Sequence, residues 1–243
     1  MRLDLALVEQ GLARSRTQAQ RLIKQGKVQV DGTTVYRPAY DVSKQRLSCS
    51  EQQWVSRAAW KLIGALDASG IPMPARVLDA GASTGGFTQV CLSRGAQRVY
   101  AIDVGHGQLV DQLRMDPRVV VHEGFNIREL TLAQVEHQPV DLVVADLSFI
   151  SLRLLLRPLF SVLSHQGIAL LMIKPQFEVG RDKLGKGGIV VDSHERQCAI
   201  NRVITDAQVL GWHVLWHGDA AVSGTYGNVE HFVALEYSVI HNT

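Results

Sequence analysis

Lys61, Asp146, Lys174 and Glu230 fall at or near the ends of apolar runs in this 243-residue chain. Lys174 follows Ile168–Ile173 directly, and Asp146 follows Val140–Ala145. Glu230 stands at the start of the last apolar run, and Lys61 lies early in a helical pattern where a lysine ordinarily faces water. Gathered by a fold, two lysines and two carboxylates make a charge-balanced cluster. The chemistry open to such a cluster is removal of a proton from a weakly acidic hydroxyl. An amine is a base only when neutral; desolvation and a neighbouring cation favour that form, while carboxylates favour the charged form and hold lysines in place. Spacing alone leaves the four as candidates.

A second set of residues reads as a ligand cradle. Val77 to Phe87 runs VLDAGASTGGF: an apolar stretch, the acid Asp79, then Gly81, Ala82, Ser83, Thr84, Gly85, Gly86 and Phe87. This is strand, tight turn and helix, the opening unit of a doubly wound sheet. Glycines let backbone N–H groups approach a ligand, and the helix N-terminus adds partial positive charge. The run departs from G-x-G-x-x-G, since the third position, counting from Gly81, is Ser83. An acid at the strand end suits a nucleoside that carries a sulfonium and an amino acid better than a pyrophosphate. Asp79 is then expected at the cationic end of S-adenosylmethionine. The alternative is an ordinary glycine-rich connection. Asp103 ends the next strand, about 20 residues past the turn, where this fold places a carboxylate on ribose hydroxyls. Asn126 either flanks the adenine or is a turn asparagine.

The elements that must position these groups follow from periodicity. Strands are expected over Val77–Asp79, Arg98–Ile102, Val119–His122, Val140–Ala145, Ile168–Ile173, Trp212–Trp216 and Glu230–Tyr237, the last two as a hairpin-like pair. The continuous apolar runs fit buried parallel strands. Helices are expected from Ser56 to about Ser69, after Gly86, from Leu147, and from Ser193 to Leu210. Glu178 to Gly188 reads as a basic glycine-rich loop. The expected class is α/β, a Rossmann-like class I methyltransferase with a seven-stranded sheet.

Upstream, residues 2–25 read as two short helices, the second capped by Ser15, and Asp31-Gly32 is a hairpin signal. Residues 1–61 hold eleven basic and five acidic side chains, against 14 and 18 in the remainder, so the net charge of +2 hides a basic N-terminal third. A basic module on a neutral-to-acidic body points to a polyanion partner. Three scattered cysteines, Cys49, Cys91 and Cys198, form no C-x-x-C and fit a reducing compartment without zinc or disulfides. The histidines show no paired ligand spacing, so no metal is expected. MRLDLALVEQ is charged within any apolar core and is not a signal peptide. Ile168–Ile173, the longest apolar run, is far short of a membrane span.

The run RLDLALVEQGLARSRTQAQRLIKQGKVQVDG resembles the small RNA-binding domain shared by a ribosomal small-subunit protein, pseudouridine synthases and tyrosyl-tRNA synthetases. The resemblance implies a small α+β RNA-binding domain with Arg2, Arg14, Ser15, Arg16 and Lys24 near RNA phosphates. Such contacts position more than they read sequence. Further on, SRAAWKL, LDAGASTGGFT, DVGHGQL, ADLSFISL, IKPQFEVG, KGGIV and GNVEHF together resemble the TlyA (hemolysin A) family. Its members are FtsJ-like rRNA 2′-O-methyltransferases with a Lys-Asp-Lys-Glu tetrad. The resemblance carries that tetrad onto Lys61, Asp146, Lys174 and Glu230, with Lys174 as base. It implies S-adenosylmethionine as donor and a cytidine 2′-OH of ribosomal RNA as acceptor, in the cytoplasm. Ala58-Ala59-Trp60 departs from the glycines and smaller residue usual before that first lysine. The chain ends match the family's shorter subgroup, whose acceptor is large-subunit (23S) rRNA rather than 16S as well.

The expected domains are residues 1–50 for RNA binding, a linker over 51–57, and a methyltransferase domain over 58–243. Three rival readings remain: a base methyltransferase, by C5 or amino-group chemistry, a haemolysin, and a non-catalytic RNA-binding protein. A C5 base methyltransferase needs a pocket cysteine, and none of the three is placed for it. An amino-group methyltransferase has Asp/Asn-Pro-Pro-Tyr where this chain has Asp146-Leu147-Ser148-Phe149. A haemolysin or a non-catalytic RNA-binding protein would make no use of the tetrad.

Overall fold

The structure is a computed structural model that describes residues 1–10, 12–13, 15–49, 54–224 and 227–237. The chain divides into two compact units, Met1–Trp54 and Val55–Thr243.

In the first unit, α1 (Leu3–Glu9) and α2 (Arg16–Lys24) pack on a three-stranded antiparallel sheet. Its strands are β1 (Val28–Val30), β2 (Thr33–Thr34) and β3 (Leu47–Cys49), in the order β2-β1-β3. Ser15 caps α2 by accepting from the Gln18 N–H at 3.2 Å. The β1–β2 turn places Asp31 at φ 50° and Gly32 at φ 81°. That pair of left-handed residues matches the twist of the flanking strands, which explains why Asp-Gly sits there. Leu3, Leu7, Leu22, Ile23 and Val28 are buried in a separate core. Gly11, the residue at which the first helical pattern ends in the sequence, lies outside the described residues.

The second unit opens with α3 (Ala58–Ser69), which stops at Gly70 in the left-handed region, φ 70°. The strands β4 (Arg76–Ala80), β5 (Arg98–Asp103), β6 (Val119–Glu123), β7 (Val140–Ala145), β8 (Leu163–Ile173), β9 (Trp212–Asp219) and β10 (His231–Tyr237) form one sheet. Its order is β6-β5-β4-β7-β8-β10-β9. Parallel pairing joins the first five, and β10 inserts antiparallel between β8 and β9. The helices α4 (Gly86–Ser93), α5 (Asp111–Arg114), α6 (Leu156–Ser161), α7 (Pro175–Glu178) and α8 (Ser193–Val209) complete the unit.

The seven strands and the terminal pair match the sequence expectation. One expected helix does not. Residues 147–150 are not helical: Phe149 sits at φ 64°, and helix begins only as a 3₁₀ turn at Leu152–Leu154, followed by α6. A left-handed residue breaks the repeating αR geometry that a helix needs.

The register decides what meets what. Parallel β4, β5, β7 and β8 bring Gly81, Asp103, Asp146 and Lys174 to one edge. Because β10 runs the other way, its first residue, His231, pairs with Ile173. Glu230 therefore arrives beside Lys174 from the far end of the chain.

Candidate active site

The glycine turn is held by its neighbours. The N–H groups of Gly81 and Ala82 both donate to the Ile102 carbonyl, at 2.8 and 3.1 Å. A Cβ on Gly81, at φ 85°, would sit 2.6 Å from the Asp146 carbonyl oxygen, so only glycine lets β4 and β7 close here. A Cβ on Gly86 would lie 2.1 Å from Ser56 Oγ. Asp103 accepts from the Ser83 N–H at 2.8 Å and the Gly105 N–H at 2.7 Å, one on each oxygen. Each oxygen keeps capacity for another donor. Ser83 Oγ donates to Gln108 Oε1 at 3.0 Å, and Glu123 accepts from the N–H groups of Gly107, Gln108 and Leu109. The loop after β5 is thus drawn onto the turn from both sides.

Lys61 and Lys174 are 8% and 9% exposed, so neither is a surface lysine. Lys61 Nζ lies 2.5 Å from Glu230 Oε2, and Lys174 Nζ lies 2.6 Å from Asp146 Oδ1. Lys174 also donates to Ser148 Oγ at 2.6 Å. Buried lysines require such partners. The four residues, drawn from α3 and from the ends of β7, β8 and β10, line one cavity of about 410 Å³. Gly81, Ala82, Ser83, Thr84, Gly86 and Phe87 form its other wall. A second cavity of about 280 Å³ meets it at Ser148, Lys174 and Glu230. That chamber is lined by Phe149, Phe177, Gly187 and Gly188, among others. Phe149 is 91% exposed, and its ring centroid lies 5.3 Å from that of Phe177.

The remaining expected site residues lie outside the cavity wall. Asp79 is fully buried beneath the turn. Its Oδ2 accepts from Thr88 Oγ1 at 2.6 Å, and its Oδ1 has no partner among the described residues. Burial pushes this carboxyl up to about 7, against the pull of the Thr88 hydroxyl and with help from Asp146. Asn126 is exposed, and its side chain caps a 3₁₀ turn by accepting from the Arg128 N–H at 3.1 Å. Gly85, at φ 97°, lies against Leu113 and Leu109 rather than in the cavity. In the first unit, Arg2, Ser15, Arg16 and Lys24 are exposed, while Arg14 lies outside the described residues. Sequence reasoning did not single out Ser148, Phe149 or Thr88. Thr88 stands one helical turn past Gly85, a spacing from which its contact with Asp79 was in principle readable.

The cradle fits S-adenosylmethionine. One observation carries that fit: an orphaned carboxylate oxygen on Asp79, beneath the turn whose Gly81, Ala82, Ser83 and Thr84 line the cavity. Among the described residues, no three His, Cys, Asp or Glu side chains group to hold a metal, and no helix is long and apolar enough to cross a membrane.

The pattern described as FtsJ-like methyltransferase matches residues 54–237, and that of the S4 domain matches residues 1–46. A 16S/23S rRNA (cytidine-2′-O)-methyltransferase TlyA from Mycobacterium tuberculosis is 49% identical over 239 residues, covering 96% of this chain and 89% of that one. A 23S rRNA (cytidine-2′-O)-methyltransferase TlyA from Campylobacter jejuni is 31% identical over 255 residues, covering 96% and 98%. A crystal structure from Lactococcus lactis, described as that of a hemolysin, is 41% identical with TM-score 0.74, covering 77% of this chain and 93% of its own.

Proposed function

The chain belongs to the TlyA family of FtsJ-like methyltransferases, with an S4 domain before the methyltransferase fold, and we propose that it methylates the 2′-hydroxyl of a cytidine in ribosomal RNA. The donor in this reading is S-adenosylmethionine. Large-subunit rRNA is the first acceptor, since 23S is common to both named relatives; 16S is the second, named for one of them. The reaction takes place in the cytoplasm, on a ribosomal subunit or its RNA.

One observation carries the reading: two buried lysine–carboxylate pairs stand where two chambers meet. The chamber of the glycine turn would hold the cofactor, which supplies a methyl group made electrophilic by its sulfonium. Gly81 to Thr84 present backbone to it, Asp103 takes the ribose hydroxyls, and Asp79 balances the charge of the amino acid portion. Asn126 flanks the adenine in this reading, and Gly85, Gly86 and Phe87 shape the turn. The chamber of Phe149 and Phe177 takes the acceptor nucleotide, whose base stacks on the exposed ring. Lys174 Nζ accepts the 2′-hydroxyl proton as general base, oriented by Asp146 and Ser148. Lys61, held by Glu230, is the second lysine lining the cofactor chamber. The S4 domain anchors RNA through Arg2, Arg14, Ser15, Arg16 and Lys24.

The test is transfer of tritium from labelled S-adenosylmethionine to separated ribosomal subunits, followed by nucleoside mass analysis. Label recovered from 23S rRNA as 2′-O-methylcytidine is expected. Label recovered as a base-methylated nucleoside would sink the proposed chemistry. Label on neither subunit by a protein that binds the cofactor would sink the acceptor.

A further inference from the structure

Asp4 is an acid inside a hydrophobic domain. It lies in the first turn of α1 and is 0% exposed. Among the described residues, three side chains donate to its carboxylate: Arg2, Arg16 and Gln20. Arg2 reaches it twice, Nε to Oδ1 and Nη2 to Oδ2, each at 3.0 Å. Arg16 Nε donates to Oδ2 at 3.0 Å, and Gln20 Nε2 donates to the same oxygen at 2.8 Å. The two arginine side chains remain 44% and 54% exposed. The carboxylate is therefore turned inward and the two guanidinium groups stand at the surface. The Arg2 hydrogen bonds, with help from Gln20 and Arg16, outweigh burial and hold the Asp4 carboxyl well below the usual range.

A guanidinium has five N–H donors. Arg2 gives two to Asp4 and Arg16 gives one. Both side chains are about half exposed, and among the described residues their remaining N–H groups have no other acceptor. We infer that Asp4 is the positioning residue of a two-arginine clamp, in which Arg2 and Arg16 act as one unit on an RNA phosphodiester. The inference rests on the S4 domain binding RNA. It adds that a buried negative charge strengthens that binding, which simple charge counting contradicts.

Two opposite outcomes follow for Asp4→Asn in the full chain. Loss of a negative charge, acting alone, tightens RNA binding. Loss of the clamp weakens it, because two rotamer-rich side chains must now be ordered on binding. We expect weakening of roughly tenfold. The number of phosphates engaged does not change, so the slope of log Kd against log salt between about 50 and 200 mM stays as in the wild type. Methyl transfer at saturating RNA keeps its kcat while KM rises. Arg2→Lys and Arg16→Lys carry the same question while leaving the buried Asp4 carboxylate in place and a cation beside it. They keep the charge and lose the fork, and each is expected to bind almost as weakly as the corresponding alanine variant. The probe is protein-free 23S rRNA, with Kd measured by filter binding and folding followed by thermal denaturation. Tighter binding by Asp4→Asn, or full affinity in both lysine variants, would overturn the clamp. A wild-type protein without salt-dependent affinity for this RNA would overturn the RNA-binding reading itself and the clamp with it.

Discussion

Lys61, on the first helix of the methyltransferase unit, and Glu230, at the foot of its last inserted strand, form a 2.5 Å ion pair with side chains only 10% and 5% exposed. A buried pair of this kind ties the two ends of the unit together, but it gains little over a well-packed apolar pair. Breaking it from one side is different: the stranded charge costs about 3–5 kcal/mol. Glu230→Ala is therefore expected to lower Tm and methyl transfer together. A double variant, Lys61→Met with Glu230→Leu, is expected to recover much of the Tm while remaining inactive. Thermal denaturation beside a turnover assay reads both. Recovery of activity in the double variant would reduce the pair to a structural role.

Lys174 is held by Asp146 and Ser148 at 2.6 Å each, in the wall shared by both cavities. Lys174→Ala is expected to cut methyl transfer by at least about 100-fold, the usual contribution of general base catalysis. The glycine turn is untouched, so S-adenosylmethionine should bind with nearly wild-type affinity by calorimetry. Ser148→Ala removes only one of the orienting contacts and should cost far less. Retained turnover in Lys174→Ala would exclude this lysine as the base.

Asp79 provides a pH signature. Burial raises its carboxyl from 3.8 to about 7. The folded state therefore holds a proton that the unfolded chain has released, and stability falls as pH rises between these two values. The loss by pH 7 is on the order of 4 kcal/mol. Asp79→Asn mimics the protonated acid and should flatten this part of the stability profile, measured by denaturant titration at a series of pH values. A bound cation next to Asp79 would favour the ionised form. S-adenosylmethionine is then expected to bind more tightly as pH rises from about 6 to 8, and the Asn variant to lose that dependence. A wild-type profile unchanged by the substitution would remove Asp79 as its source.

Much of this was legible in the chain because buried parallel strands leave a strong imprint. Val140–Ala145 is apolar but for Asp141, and β7 spans those residues. The glycine turn, the Asp31-Gly32 hairpin and the Ser15 cap each carry a local backbone requirement that only certain residues meet. Other features depend on partners distant in sequence. Strand β8 extends back through Ser164, His165 and Gln166 because Leu163 pairs with Val140, not because those residues are apolar. That Lys61 is a buried partner of Glu230 depends on β10 entering the sheet antiparallel between β8 and β9. Leu147 to Ile150 look helical by composition, but Ser148 accepts from Lys174, distant in sequence, and Phe149 is left-handed.

Phe149 stands within that break, and its ring and its backbone can be separated by experiment. The residue is left-handed at φ 64°, and such strain costs a bulky L-residue about 1–3 kcal/mol. The ring is 91% exposed, so it recovers little of that by burial beyond its contact with Phe177. Glycine adopts φ > 0 freely, at the expense of a more flexible unfolded chain. Phe149→Gly should thus hold stability within about 1 kcal/mol of wild type, and Phe149→Ala, which keeps the strain and loses the ring contact, should be the less stable of the two. If the ring stacks on the acceptor base, both variants lose methyl transfer alike, mainly through KM for RNA, by roughly 10-fold or more. Denaturant melts rank the backbone effect and steady-state kinetics rank the ring. Wild-type KM in both variants would mean that the strained aromatic serves the protein's own packing and that the acceptor base is held elsewhere.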